Sequence, residues 1–100
     1  MDLSEVLLSV AHQVFSGAQD VETPEGRAPV TKTSSKRLLK VEFSFEGHKV
    51  VAIEQNPDTA SQWAKLAKAG HKVIQFRDGE TGHYIANVVD DKLRFYGKKP

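Results

Sequence analysis

The sequence predicts one α+β domain of two layers, an antiparallel sheet of about five strands with two helices on one face. Three observations carry this. An apolar stripe of helical period opens the chain, a strict two-residue alternation begins at Leu39, and a meander of three strands from His71 to Tyr96 has mutually consistent registers. The expected order is α-β-β-α-β-β-β in a single domain over 1–100, with a helix over 2–16, a flexible connection over 18–36 and an α+β body over 37–97.

In the first helix Leu3, Val6, Leu7, Val10, Ala11, Val14 and Phe15 fall on one continuous stripe, and Leu8 lies off it. Asp2 followed three residues later by Glu5 has the form of a capping box, and Gly17 is the stop. Residues 18–36 follow neither period. Pro24, Pro29 and the polar run from Thr31 to Lys36 suggest a connection without regular structure, and connections of that length tend to be functional or disordered.

From Leu39, apolar Val41, Phe43 and Phe45 alternate with Lys40, Glu42, Ser44 and Glu46, the mark of a half-buried strand. Gly47-His48 turns the chain into a second strand over Val50–Ile53. Asn56-Pro57 is expected to open the second helix, with Asn56 as N-cap, Ala60, Trp63, Ala64 and Ala67 inward, and Gly70 at its end.

In the meander, a two-residue loop at Asp90-Asp91 sets Val88 opposite Leu93 and Ala86 opposite Phe95. A five-residue loop over 78–82 sets Phe76 opposite Tyr84 and Ile74 opposite Ala86. Both registers give an inner face of Ile74, Phe76, Tyr84, Ala86, Val88, Leu93 and Phe95. The outer face then carries Gln75, Arg77, His83, Asn87, Lys92, Arg94 and Tyr96, with Val73, Ile85 and Val89 among them.

With 39% hydrophobic and 27% charged residues, the composition is that of a globular protein. There is no cysteine, hence no disulfide, thiolate metal site or thiol nucleophile, which suits a reducing, cytoplasmic setting. No eighteen-residue apolar window exists, so no membrane span is expected. The acidic start of the chain, with Asp2 and Glu5, is wrong for a secretion signal. Net charge is only +1, but it is segmented: residues 1–26 hold five acids and no base, and residues 27–40 hold five bases and no acid. Lys92, Arg94, Lys98 and Lys99 add a second basic cluster.

Motifs for catalysis are missing. There is no G-x-S-x-G or S-x-x-K, and His12, His48, His71 and His83 lack metal-ligand spacing. Asp78-Gly79-Glu80-Thr81-Gly82 has neither the acidic spacing of a calcium loop nor the lysine of a phosphate loop, and a hairpin turn explains it. No catalytic residue, metal or cofactor is therefore assigned.

The favoured expectation is a small non-enzymatic binding or accessory module, acting through its outer sheet face or through 18–36, as a monomer or homodimer. Its partner is expected to be a protein or a weakly bound polyanion. Arg77, His83, Lys92, Arg94 and Tyr96 are the candidate binding residues. Cations and an aromatic on one sheet face suggest the alternative, a binder of single-stranded nucleic acid. A small enzyme with an unrecognised site and an oligomer built through edge strands are the remaining alternatives.

Overall fold

A computed structural model describes residues 1–96. Among these it contains α1 (Leu3–Phe15), β1 (Asp20–Thr23), β2 (Gly26–Lys32), β3 (Leu39–Phe45), β4 (His48–Glu54), α2 (Gln62–Lys68), β5 (Val73–Asp78), β6 (Tyr84–Val89) and β7 (Lys92–Phe95). The domain is α+β, but its sheet has seven strands among the described residues, in the order β1-β2-β3-β4-β5-β6-β7 and antiparallel throughout. The Lys98-Lys99 pair of the second basic cluster lies outside the described residues. No helix is long and apolar enough to cross a membrane among the described residues.

α1 starts where its cap dictates. The Glu5 amide donates to the Asp2 carboxylate at 2.9 Å, and Glu5 reaches back to the Asp2 amide, so two orphan donors are satisfied. It ends at Gly17, whose φ of +84° only glycine adopts freely; the amides of Gly17 and Ala18 return to the carbonyls of Val14 and Gln13. Val6, Leu7, Val10, Ala11 and Val14 are buried against the inner face of the sheet, and Leu8 packs at the margin of the same core. The helix touches β1 near one sheet edge and β6 and β7 at the other, so the sheet curls around it.

Two added strands lie in the segment expected to lack regular structure. β1 and β2 pair from Asp20 with Pro29 to Thr23 with Gly26, and β2 continues onto β3 with Val30 opposite Val41. Tertiary contacts make them. Val21 is covered by α1, and the Gln13 carboxamide both accepts from the Glu22 amide at 2.7 Å and donates to its carbonyl at 3.0 Å. A helix side chain thus serves the backbone of the edge strand as a neighbouring strand would. Amides of β2, whose first half pairs with β1 and whose second half pairs with β3, are expected to give rigid order parameters of about 0.85 in NMR relaxation; values below about 0.6 would contradict the pairing.

The second helix is shorter and starts later than expected. Asn56 accepts from the Asp58 amide at 2.9 Å and closes a turn around Pro57, while Ser61 caps α2 by accepting from the Ala64 amide at 3.0 Å. The expectation of both helices on one face is also corrected: α2 crosses the end of β5 on the outer face, where Trp63 meets Tyr96. Ala64 and Val73 are buried there, apart from the core under α1.

The β6–β7 register is as expected, with Val88 opposite Leu93 and Ala86 opposite Phe95. The β5–β6 register differs. Ile74 faces Val88, Phe76 faces Ala86, and Arg77 faces Tyr84, with an irregularity at Phe76/Arg77 that leaves Ile85 as the extra residue of a bulge. Because strand side chains alternate, one inserted residue exchanges the faces beyond it. Ile85 turns into the core and Tyr84 turns out, more than half exposed at 52%.

Candidate functional site

That bulge assembles a chain of rings on the outer face. The Arg77 guanidinium lies 5.0 Å from the centre of the Tyr84 ring. Tyr84 and Tyr96 stand 5.1 Å apart with a tilt of 35°, and Trp63 meets Tyr96 edge-on at 6.3 Å. Four side chains from β5, β6, the end of β7 and α2 thus form one row. Offset ring pairs contribute about 0.5–1.5 kcal/mol each beyond buried area, and an exposed cation over a ring about 0.5–1 kcal/mol.

Below the rings the face is polar and buried. Gln75 Oε1 accepts from Arg77 Nε at 3.0 Å and Nη2 at 2.8 Å, which fixes the plane of the guanidinium. Gln75 is 7% exposed, and its cross-strand neighbour Asn87 is fully buried. Asn87 Nδ2 donates to the Tyr96 hydroxyl, while Asn87 Oδ1 has no hydrogen-bond partner among the described residues. The donated bond leaves the Tyr96 hydroxyl its own proton to give elsewhere.

Arg94 stands opposite Asn87 on β7 and Lys92 opposite Val89, both exposed. With Trp63, Leu66, Val89 and Leu93 they line an open groove of about 470 Å³ between α2 and β7. The neighbourhood is short of negative charge, since no acid occurs from Thr59 to Arg77, a stretch that contains Lys65, Lys68 and Lys72. Asp90 and Asp91 sit in the β6–β7 turn, between Val89 and Lys92 of the groove wall. Asp90 is engaged by His71 Nδ1 at 2.8 Å and by the Lys72 amide at 3.1 Å.

Of the five residues singled out from sequence, Arg77 and Tyr96 enter the row of rings, and Lys92 and Arg94 line the adjoining groove. His83 does not join them. It closes the β5–β6 turn, where its carbonyl accepts from the Asp78 amide at 2.8 Å. Sequence reasoning missed Tyr84, because alternation counted back from β7 put it inside, and assigned Trp63 to a core position. Of the basic segment 32–40, Lys40 lies on β3, distant from the groove, and pairs with Glu42 at 3.3 Å.

A second cleft, of about 300 Å³, lies between the end of α1 and α2, but its polar groups are already engaged. Glu54 accepts from the Leu39 amide at 2.8 Å, His71 holds Asp90, and Lys72 Nζ donates to the Phe15 carbonyl at 3.3 Å. No group of three or more His, Cys, Asp or Glu side chains able to hold a metal occurs among the described residues.

Two turn carboxylates are held below the ordinary value of 3.8. The amides of Thr81 and Glu80 lower Asp78, and the hydrogen bond from His71 lowers Asp90, aided by the Lys72 amide. In the unfolded chain both bind protons at the higher, ordinary pH. Their contribution to stability is therefore present above about pH 3.8 and is lost as pH falls through the lower folded values. Asp90→Asn is expected to flatten the acid limb of a melting-temperature profile from pH 6 to 2; an unchanged slope would show that Asp90 is not held.

Compared with protein-family models, with curated proteins and with solved structures, the chain matches none.

Proposed function

We propose that this protein is a non-enzymatic binding module whose binding surface is the outer face of β5, β6 and β7 with the flank of α2. One observation carries the reading: Tyr84, a large aromatic held half exposed between Arg77 and Tyr96. Tyrosine, tryptophan and arginine over an ordered polar floor are the side chains that dominate binding surfaces, since they offer large contact area at low entropic cost. The absence of cysteine fits action in a reducing, cytoplasmic setting.

Amide shift mapping tests it with two probes at low salt, a mixed-sequence single-stranded oligonucleotide and a poly-glutamate peptide. For at least one probe, shifts are expected to cluster at Trp63, Arg77, Tyr84, Asn87 and Tyr96. Shifts confined to Phe15, Glu54 and His71 would move the site to the second cleft. No shift from either probe at millimolar concentration overturns the reading.

A further inference from the structure

We infer that the occupant of this surface is a single strand of nucleic acid. Its backbone would run along the α2–β7 groove and its bases would stack at the Tyr84–Tyr96 end. The inference rests on the binding-module reading and names its ligand class. Three independent features of the surface converge on that class.

The first is charge. The groove wall presents Lys92 and Arg94, the row of rings begins with Arg77, and the exposed side of α2 adds Lys65 and Lys68. No acid interrupts the chain between Thr59 and Arg77, and Asp90, in the β6–β7 turn, is held by His71 and the Lys72 amide. Five of the chain's fourteen lysines and arginines thus share this side of a molecule of net charge +1, which favours an anionic partner through a short-range field.

The second is the stack. An acidic peptide answers the charge but has no use for three aromatic rings and a guanidinium arranged in a row. An unpaired base does, because every base has a π-face and stacks on tyrosine, tryptophan or a guanidinium plane. Double-stranded nucleic acid keeps those faces covered, which restricts the ligand to a single strand.

The third is polar complementarity beneath the rings. Asn87, fully buried, orients the Tyr96 hydroxyl by donating to it, so that the hydroxyl proton is free for a phosphate or base oxygen. Asn87 is in this sense a positioning residue, acting through Tyr96.

The test is a fluorescence anisotropy titration of a labelled twelve-nucleotide single strand, its duplex and a poly-glutamate peptide of matched charge. With three phosphate contacts, from Arg77, Lys92 and Arg94, the slope of log affinity against log salt is expected near −2, or roughly a 20-fold loss between 50 and 200 mM. Arg94→Gln is expected to reduce the slope by about 0.7. Tyr84→Ala is expected to weaken binding at least ~5-fold at every salt concentration, with the slope unchanged, because stacking releases no counterions. Tyr84→Phe keeps the stack and is expected to bind like the parent chain.

Peptide binding as tight as the single strand, or duplex preferred over it, overturns the inference and leaves the binding module standing. Tyr84→Ala that folds and binds the single strand unchanged overturns it as well. Failure of the single strand, the duplex and the peptide alike to bind overturns inference and module together.

Discussion

Leu7→Ala is expected to lower the unfolding free energy by about 2–5 kcal/mol, the range for a large apolar side chain removed from a packed core. Leu7 is fully buried at the centre of the α1 stripe, among Val6, Val10 and Ala11 on one side and the curled sheet on the other. In a domain of this length each kcal/mol moves the melting temperature by roughly 4–8 °C, so thermal denaturation resolves the effect. The size of the loss reports how far the sheet depends on its helix. Because α1 touches both β1 and β7, it holds the curl as well as covering its concave side. A loss under about 1 kcal/mol, with the mass in solution unchanged, would mean that α1 is dispensable. Leu8→Ala, at the margin of the core, is expected to cost less.

Asn87→Asp is expected to cost about 3–5 kcal/mol at neutral pH, the range for an uncompensated buried charge. The position is fully buried, and the amide it loses is the donor to the Tyr96 hydroxyl. Arg94, exposed on the neighbouring strand, offsets part of the penalty, so the cost should rise further with Arg94→Gln in the same chain. The pH dependence has a definite sign. Burial raises the folded pKa of the new carboxyl above its unfolded value, so the penalty is largest at high pH and shrinks as pH falls and the group is neutralised. Asp78 and Asp90 act in the opposite sense, withdrawing stability as pH falls. Chemical denaturation at pH 7 and pH 4.5 separates the two. A cost independent of pH would show that the side chain reaches water. Removing both partners, as Asn87→Leu with Tyr96→Phe, is expected to stay within about 1 kcal/mol of the parent, since no group is then left unpaired.

Local signals in the chain were sufficient for part of this fold. The capping box of Asp2 and Glu5, the stripe from Leu3 to Phe15, the alternation from Leu39 to Phe45 and the Asp90-Asp91 hairpin each involve residues a few positions apart, and all four appear in the structure. Short-range periodicity suffices where the element and its turn are encoded together. β1 and β2 were not legible. Their pairing depends on Gln13 and on burial of Val21 beneath α1, contacts that a window of local residues cannot contain.

The candidate site shows the same division. Arg77, Arg94 and Tyr96 were placed on one outer face by counting alternation, and Lys92 beside them; they lie along that face and its groove. Tyr84 and Trp63 reached the site by routes that counting misses. One extra residue, Ile85, reversed the facing of Tyr84, and a cap at Ser61 instead of Asn56 placed α2 across the outer face with Trp63 against Tyr96. By itself the sequence determined the class of domain, its first helix, its β3 and β6–β7 strand patterns and the cations of the outer face, because period and charge are properties of neighbouring residues. Only the tertiary structure decided the strand number, the side on which α2 lies and the row of rings, because a bulge and a helix crossing are settled by packing between distant segments.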